Sequence, residues 1–246
     1  PAELQRHYGG HYQISSPRNQ WLYAFDRLAQ IKKLTFTSDA LSTSTYGLDR
    51  ERWRPVSPRL YRKENQSAAT LALLPDEDGK VMVQCGWGTF KKVSALRIWS
   101  QAAGIGLVSS LVLSSVLFAP VWVGRMIFGK LRHAGTVSVR VMPLLGAAFL
   151  IVFDISLAIG LRGMITGNEI DDLTPLGTPS SLSITIMLSS IAFALATVAS
   201  LYVLYRERRT AMNRVVYWHS LAVTGGLLAV AIYYGYWGLI GVRLWA

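Results

Sequence analysis

Asp154 stands inside a long apolar run, seven residues before that run ends at Leu161. An acid at the centre of a bilayer costs about 3 kcal/mol or more, so such a residue needs a role. The same distance into the other apolar runs reaches Ser109 and Ser110, then Ser189 and Ser190, then Tyr234 beside Tyr233. A carboxyl ringed by hydroxyls can serve as a buried polar layer that ties helices together. It can also pass a proton or ion. The structural reading is preferred, because transport sites add further ionisable groups or broken helices.

Other reactive constellations are missing. There is no Ser-x-x-Lys, no Tyr-x-Asn, no Gly-x-Ser-x-Gly, no phosphate-binding glycine loop and no His-Glu-x-x-His. His7 and His11 are four apart, but Gly9 and Gly10 between them argue against a helix that would align them. Two histidines without a carboxylate or thiolate fall short of a metal's usual three or four ligands. His133 reads as a loop residue and His219 as a helix-to-helix hydrogen bonder. Cys85 is the only cysteine, which excludes an internal disulfide and suits a small hydrophobe on a strand. The residues therefore name no catalytic, metal or cofactor site.

The elements that must carry Asp154 and its neighbours are four apolar stretches, Ala102–Gly124, Val141–Leu161, Leu182–Tyr205 and Val215–Gly241. At ~1.5 Å per residue, roughly 20 apolar residues cross a ~30 Å hydrocarbon core, and each stretch reaches that length. Trp99, Trp122, Tyr202, Tyr205, Tyr217, Trp218 and Trp237 cluster at their ends, where amphipathic rings favour the headgroups. Ala192, Ala196 and Ser200 form a small-residue stripe that admits a close neighbour.

The connections differ in charge. Arg125, Lys130, Arg132 and Arg140 lie between the first two spans, and Arg206, Arg208, Arg209 and Arg214 between the last two. The middle connection carries Glu169, Asp171 and Asp172 against Arg162. Basic short loops stay in the cytoplasm, so both chain ends are expected outside. The chain starts at Pro1 without a signal-peptide pattern, so an exporting segment is expected upstream. The net charge of +11 is spread over the N-terminal region and two connections, which argues for topology and anionic lipid rather than nucleic acid.

Residues 1–97 are polar and mixed. Leu34–Thr37, Thr43–Tyr46, Arg59–Arg62, Thr70–Leu74, Lys80–Cys85 and Thr89–Val93 read as strands, with a turn at Pro75–Gly79 and a bend at Gly86–Gly88. Trp21–Gln30 reads as a short helix with Leu22, Phe25, Leu28 and Ala29 on one face. The expected architecture is a multi-domain membrane protein. A small antiparallel sheet or partial barrel of about five to seven strands (1–97) precedes a four-helix transmembrane bundle (98–246).

Gly10-His11-Tyr12, the segment from Asp78-Gly79-Lys80-Val81 to Phe90-Lys91-Lys92-Val93, Arg214-Val215-Val216-Tyr217, and Tyr236-Trp237-Gly238-Leu239-Ile240-Gly241 follow one another in a specific order. That order resembles the C-terminal region of membrane-bound serine hydrolases related to class C β-lactamases and penicillin-binding proteins. In that family a hydrolase domain precedes a small β module and a few spans. The resemblance implies a membrane anchor for an upstream serine-hydrolase domain of the same polypeptide, and it supplies no catalytic residue here. A non-enzymatic membrane sensor is the alternative, and a small transporter with Asp154 as coupling residue is a third.

Overall fold

Strand alternation in the N-terminal half curls into a closed ring. The computed structural model describes residues 2–16, 22–46, 49–75, 81–86, 88–129, 134–162, 175–210 and 212–245. They divide into two compact units, Pro1–Gly104 and Ile105–Ala246. In the first, eight strands form a closed antiparallel barrel in sequence order. They are β1 (Gly10–Ile14), β2 (Ile31–Phe36), β3 (Leu41–Thr45), β4 (Asp49–Ser57), β5 (Leu60–Lys63), β6 (Ala69–Pro75), β7 (Val81–Cys85) and β8 (Gly88–Val93). The sequence reading falls short by β1 and β4, and its partial barrel is in fact closed. Closure leaves no strand edge unpaired.

The ring closes between its first and last strands, with Tyr12 opposite Lys92 and Ile14 opposite Phe90. Gly10-His11-Tyr12 and Phe90–Val93, far apart in sequence, are thus neighbours along one seam. Most inward positions are apolar. Tyr12, Leu34, Leu41, Trp53, Leu71, Leu73, Val83 and Phe90 are buried in one cluster, while Lys33, Thr35 and Gln84 on alternate positions face outward. Tyr12 is 0% exposed and donates from Oη to the carbonyl of Tyr8 at 2.7 Å. Tyr8 belongs to a short helix, α1 (Ala2–Tyr8), whose Leu4 packs against the same core. Gly86, with φ of +55°, sits between β7 and β8, where Cys85 pairs with Gly88, and a tight hairpin favours such a residue.

A second short helix, α2 (Tyr23–Ala29), occupies the expected place. Its inner face differs from the expected one: Leu22 and Ala24 are buried and Ala29 is exposed. Leu22 is the helix N-cap residue rather than a helical one, so the expected periodicity is out of phase. Trp21, the Asp76–Gly79 turn, Trp87, Lys130, Arg132, His133, Glu169, Asp171 and Asp172 lie outside the described residues.

Among the described residues, four helices are long and apolar enough to cross a membrane. They are α3 (Ala95–Ile127), α4 (Ala134–Gly160), α5 (Ser181–Arg206, extended by a 3₁₀ turn at Glu207–Arg209) and α6 (Arg214–Tyr236). Only Ser94 separates β8 from α3. Span limits shift from the sequence reading. Helix α3 runs from Ala95 to Ile127, so Arg125, expected in a loop, lies within it. Arg140, expected in a loop, lies within α4, because the preceding Thr136–Val139 continue the helix. The last span ends at Tyr236 instead of Gly241, since Gly238 (φ +69°) and Gly241 (φ +70°) take up left-handed backbone.

Asn213 accepts from Val215 N at 2.9 Å and caps α6, and Ser180 caps α5 with a reciprocal bond to Ser183. Close helix contact centres on Gly146. A Cβ there would lie 2.9 Å from Leu227 of α6, 3.7 Å from Thr197 Oγ1 and 3.9 Å from Ala196 of α5. Ala196 and Ser200, both buried, supply small surfaces to the same packing.

Candidate functional site

The Gly146 level provides a ruler for the intramembrane groups. Since Gly146, Thr197 and Leu227 meet there, roughly eight residues (~12 Å) along each helix reaches Asp154, Ser189–Ser190 and Tyr234 at a common level. At that level Tyr234 Oη donates to Asp154 Oδ1 at 2.8 Å, joining α6 to α4. Tyr234 is 7% exposed and packs against the rings of Phe153 (5.4 Å between centroids) and Phe193 (6.3 Å). Asp154 is on an exposed face of α4. The ring of Tyr233 lies 6.3 Å from that of Tyr234.

The serines behave differently. Ser189 Oγ donates to the Thr185 carbonyl at 2.6 Å and Ser190 Oγ to the Met187 carbonyl at 2.8 Å, both on their own helix. Ser190 Oγ also accepts from Gly241 N at 2.9 Å, and Leu239 N donates to the Tyr234 carbonyl at 2.8 Å. The chain beyond α6 therefore folds back over this level. Ser109 and Ser110 are not brought to it. A Cβ on Gly226 would meet Val108 and Leu111 at 3.6 Å, which sets both serines near the Gly146 level, ~12 Å away. Both are exposed, and Ser110 Oγ donates to the Gly106 carbonyl of its own helix. The first residue of the apolar run misjudged their depth because α3 begins at Ala95, not Ala102.

With their protons committed to backbone carbonyls, Ser189 and Ser190 are not poised as nucleophiles. The described bonds to them involve no histidine or lysine. What the arrangement can do is hold one carboxyl by one phenol between two helices.

A second polar group lies at one end of the barrel and has no local sequence signal. Glu51 of β4 accepts from Lys63 Nζ of β5 at 2.7 Å, and Lys32 Nζ of β2 stands 3.8 Å away. Thr43 donates to Glu51 at 3.4 Å and accepts from Trp53 Nε1 at 2.9 Å. Burial raises the Glu51 carboxyl, but the Lys63 hydrogen bond and the two lysine charges outweigh it and hold the group below the usual carboxylate range. Burial pushes the Cys85 thiol up, while Lys32 and Lys63 pull it the other way. Cys85 is a buried free thiol.

At another part of the barrel, Leu4, Phe36, Asp39, Pro55 and Tyr61 line an open cleft of about 250 Å³. His7 is in α1 and His11 in β1, and burial and Lys33 across the strand lower the tendency of His11 to take a proton. Among the described residues no three or more His, Cys, Asp or Glu side chains gather as a metal site would require. No known protein family, curated protein or solved structure matches the chain.

Proposed function

We propose that the chain is a membrane-anchoring module: a small barrel carried by four spanning helices, which holds a serine-hydrolase domain of the same polypeptide at the outer face of the cell membrane. The observation that carries the anchoring part is the one-residue link at Ser94 between the barrel's closing strand and α3. The barrel's interior supports a scaffolding role, because aromatic and aliphatic side chains fill its core. The hydrolase partner rests on the sequence resemblance alone. The orientation rests on the basic connections, which favour the cytoplasm and leave the barrel and both ends outside.

The test is to detect the native protein in membranes with an antibody against the barrel and to probe it with fluorescent penicillin and a fluorophosphonate. The reading expects a membrane-bound polypeptide larger than 27.2 kDa that a serine-reactive probe labels. A 27.2 kDa band that neither probe labels contradicts it. One observation favours a second reading, a membrane sensor: the cleft beside Phe36 and Tyr61 is open and mostly apolar. Saturable binding of a small amphiphile, abolished by Tyr61→Ala, would select the sensor.

A further inference from the structure

We propose that the helical unit binds the phosphate headgroup of an anionic phospholipid in a cleft between α3, α4 and α6. This proposal does not depend on the anchoring role. The cleft has a volume of about 270 Å³, and each helix contributes one basic group, Arg125, Arg140 and His219 respectively. Arg140 is half-buried, six residues beyond the start of α4. Its Nε is buried and, among the described residues, has no hydrogen-bond partner. A guanidinium presents five donors and strongly prefers to fill them. Among the described residues no acid forms an ion pair with Arg125 or Arg140. The two like charges act on one another, so an anion between them relieves repulsion as well as filling donors.

The third basic group is held in place. Ser114 Oγ of α3 lies 2.9 Å from His219 Nε2 of α6, within hydrogen-bond distance, and 2.8 Å from the Leu111 carbonyl. The edge of the His219 ring is also set against Phe118, 6.2 Å between centroids.

An arginine at a span end is usually explained by topology alone, with its head in the aqueous interface. A buried, unpartnered Nε is not explained that way. The walls decide between sources of phosphate. Phe118, Val121, Trp122 and Val215 line the cleft, and all but the half-buried Trp122 are exposed on the helical unit. A free phosphate ion gains nothing from such walls. A diacyl lipid lays its chains along them while its phosphate meets the arginines, as in basic pockets between spans.

The full chain in neutral detergent is examined by native mass spectrometry with phosphatidylglycerol and phosphatidylcholine of identical acyl chains. The expected result is preferential retention of phosphatidylglycerol, reduced about five- to tenfold by Arg140→Gln and by Arg125→Gln. Arg125 is exposed on α3, so Arg125→Gln carries the test if Arg140→Gln does not fold. Equal retention of the two lipids overturns the proposal, as does undiminished phosphatidylglycerol retention in Arg125→Gln. Displacement by inorganic phosphate as readily as by added phosphatidylglycerol assigns the cleft to free phosphate and overturns the lipid assignment.

Discussion

Tyr234 Oη donates to Asp154 Oδ1 across 2.8 Å, and this bond joins two helices eighty residues apart in the chain. It gives the intramembrane acid a partner from a different helix, and it makes the pair separable by mutation. Tyr234→Phe keeps the ring packing on Phe153 and Phe193 and removes only the donor. It is expected to destabilise the helical unit by about 0.6–2 kcal/mol in a detergent unfolding titration. Asp154→Asn retains an acceptor and is expected to change stability by about 0.5 kcal/mol or less. In a double-mutant cycle with Asp154→Leu, the two changes should be non-additive. If Asp154→Asn folds normally yet abolishes a measurable flux in vesicles, the helix-tying role fails and the transport reading takes its place.

Glu51 makes the barrel's stability fall in acid. Its folded carboxyl ionises below the ordinary value of 4.5, so the unfolded chain binds this proton more readily than the folded one. The contribution is complete above that ordinary value and is lost as pH falls through the lower folded one. Urea midpoints followed by near-ultraviolet dichroism should decline on the acid side of about pH 4.5, and Glu51→Gln should flatten that decline. An unchanged acid limb in Glu51→Gln would show that the Lys32–Glu51–Lys63 group does not shape it.

Tyr12 tests the seam at which the barrel closes. Tyr12→Phe loses the bond to the Tyr8 carbonyl and is expected to cost about 1 kcal/mol. Tyr12→Ala also empties the volume of a ring that is 0% exposed, and is expected to cost about 3–5 kcal/mol. Equal losses for the two variants, by the same dichroism signal, would mean that the ring itself contributes no packing.

Gly146 marks a close approach of α4 to α6. Gly146→Val adds a branched side chain where Leu227, fully buried, already stands 2.9 Å from the site of a Cβ. Overpacking of this kind costs about 1–3 kcal/mol. A detergent unfolding titration should show that loss, and Leu227→Ala in the same chain should recover part of it.

The four long helices are legible because stretches of twenty or more mostly apolar residues leave few alternatives. Depth along them is not, since Ala102 begins the apolar run while α3 begins seven residues earlier. That offset moved Ser109 and Ser110 out of the Asp154 level. Strands such as β2 and β7 announce themselves by alternation. β4 does not: Asp49-Arg50-Glu51-Arg52-Trp53-Arg54 is charged on both faces, because Glu51 points into a polar end of the barrel where lysines meet it. β1 hides behind Gly9-Gly10. The Lys32–Glu51–Lys63 group comes from three strands, and only their register unites it. The basic cleft escapes for a similar reason. Arg125 and Arg140 read as loop charges until α3 is seen to run on to Ile127 and α4 to begin at Ala134.

The most direct test of the anchoring account asks which side of the membrane each unit occupies. In a Cys85→Ser background, Ser38→Cys reports the barrel and Arg208→Cys reports the connection between α5 and α6; both native side chains are exposed. Intact cells are treated with a membrane-impermeant maleimide. The account expects Ser38→Cys to be labelled at once and Arg208→Cys only after permeabilisation. Labelling of Arg208→Cys in intact cells, with Ser38→Cys protected, contradicts it.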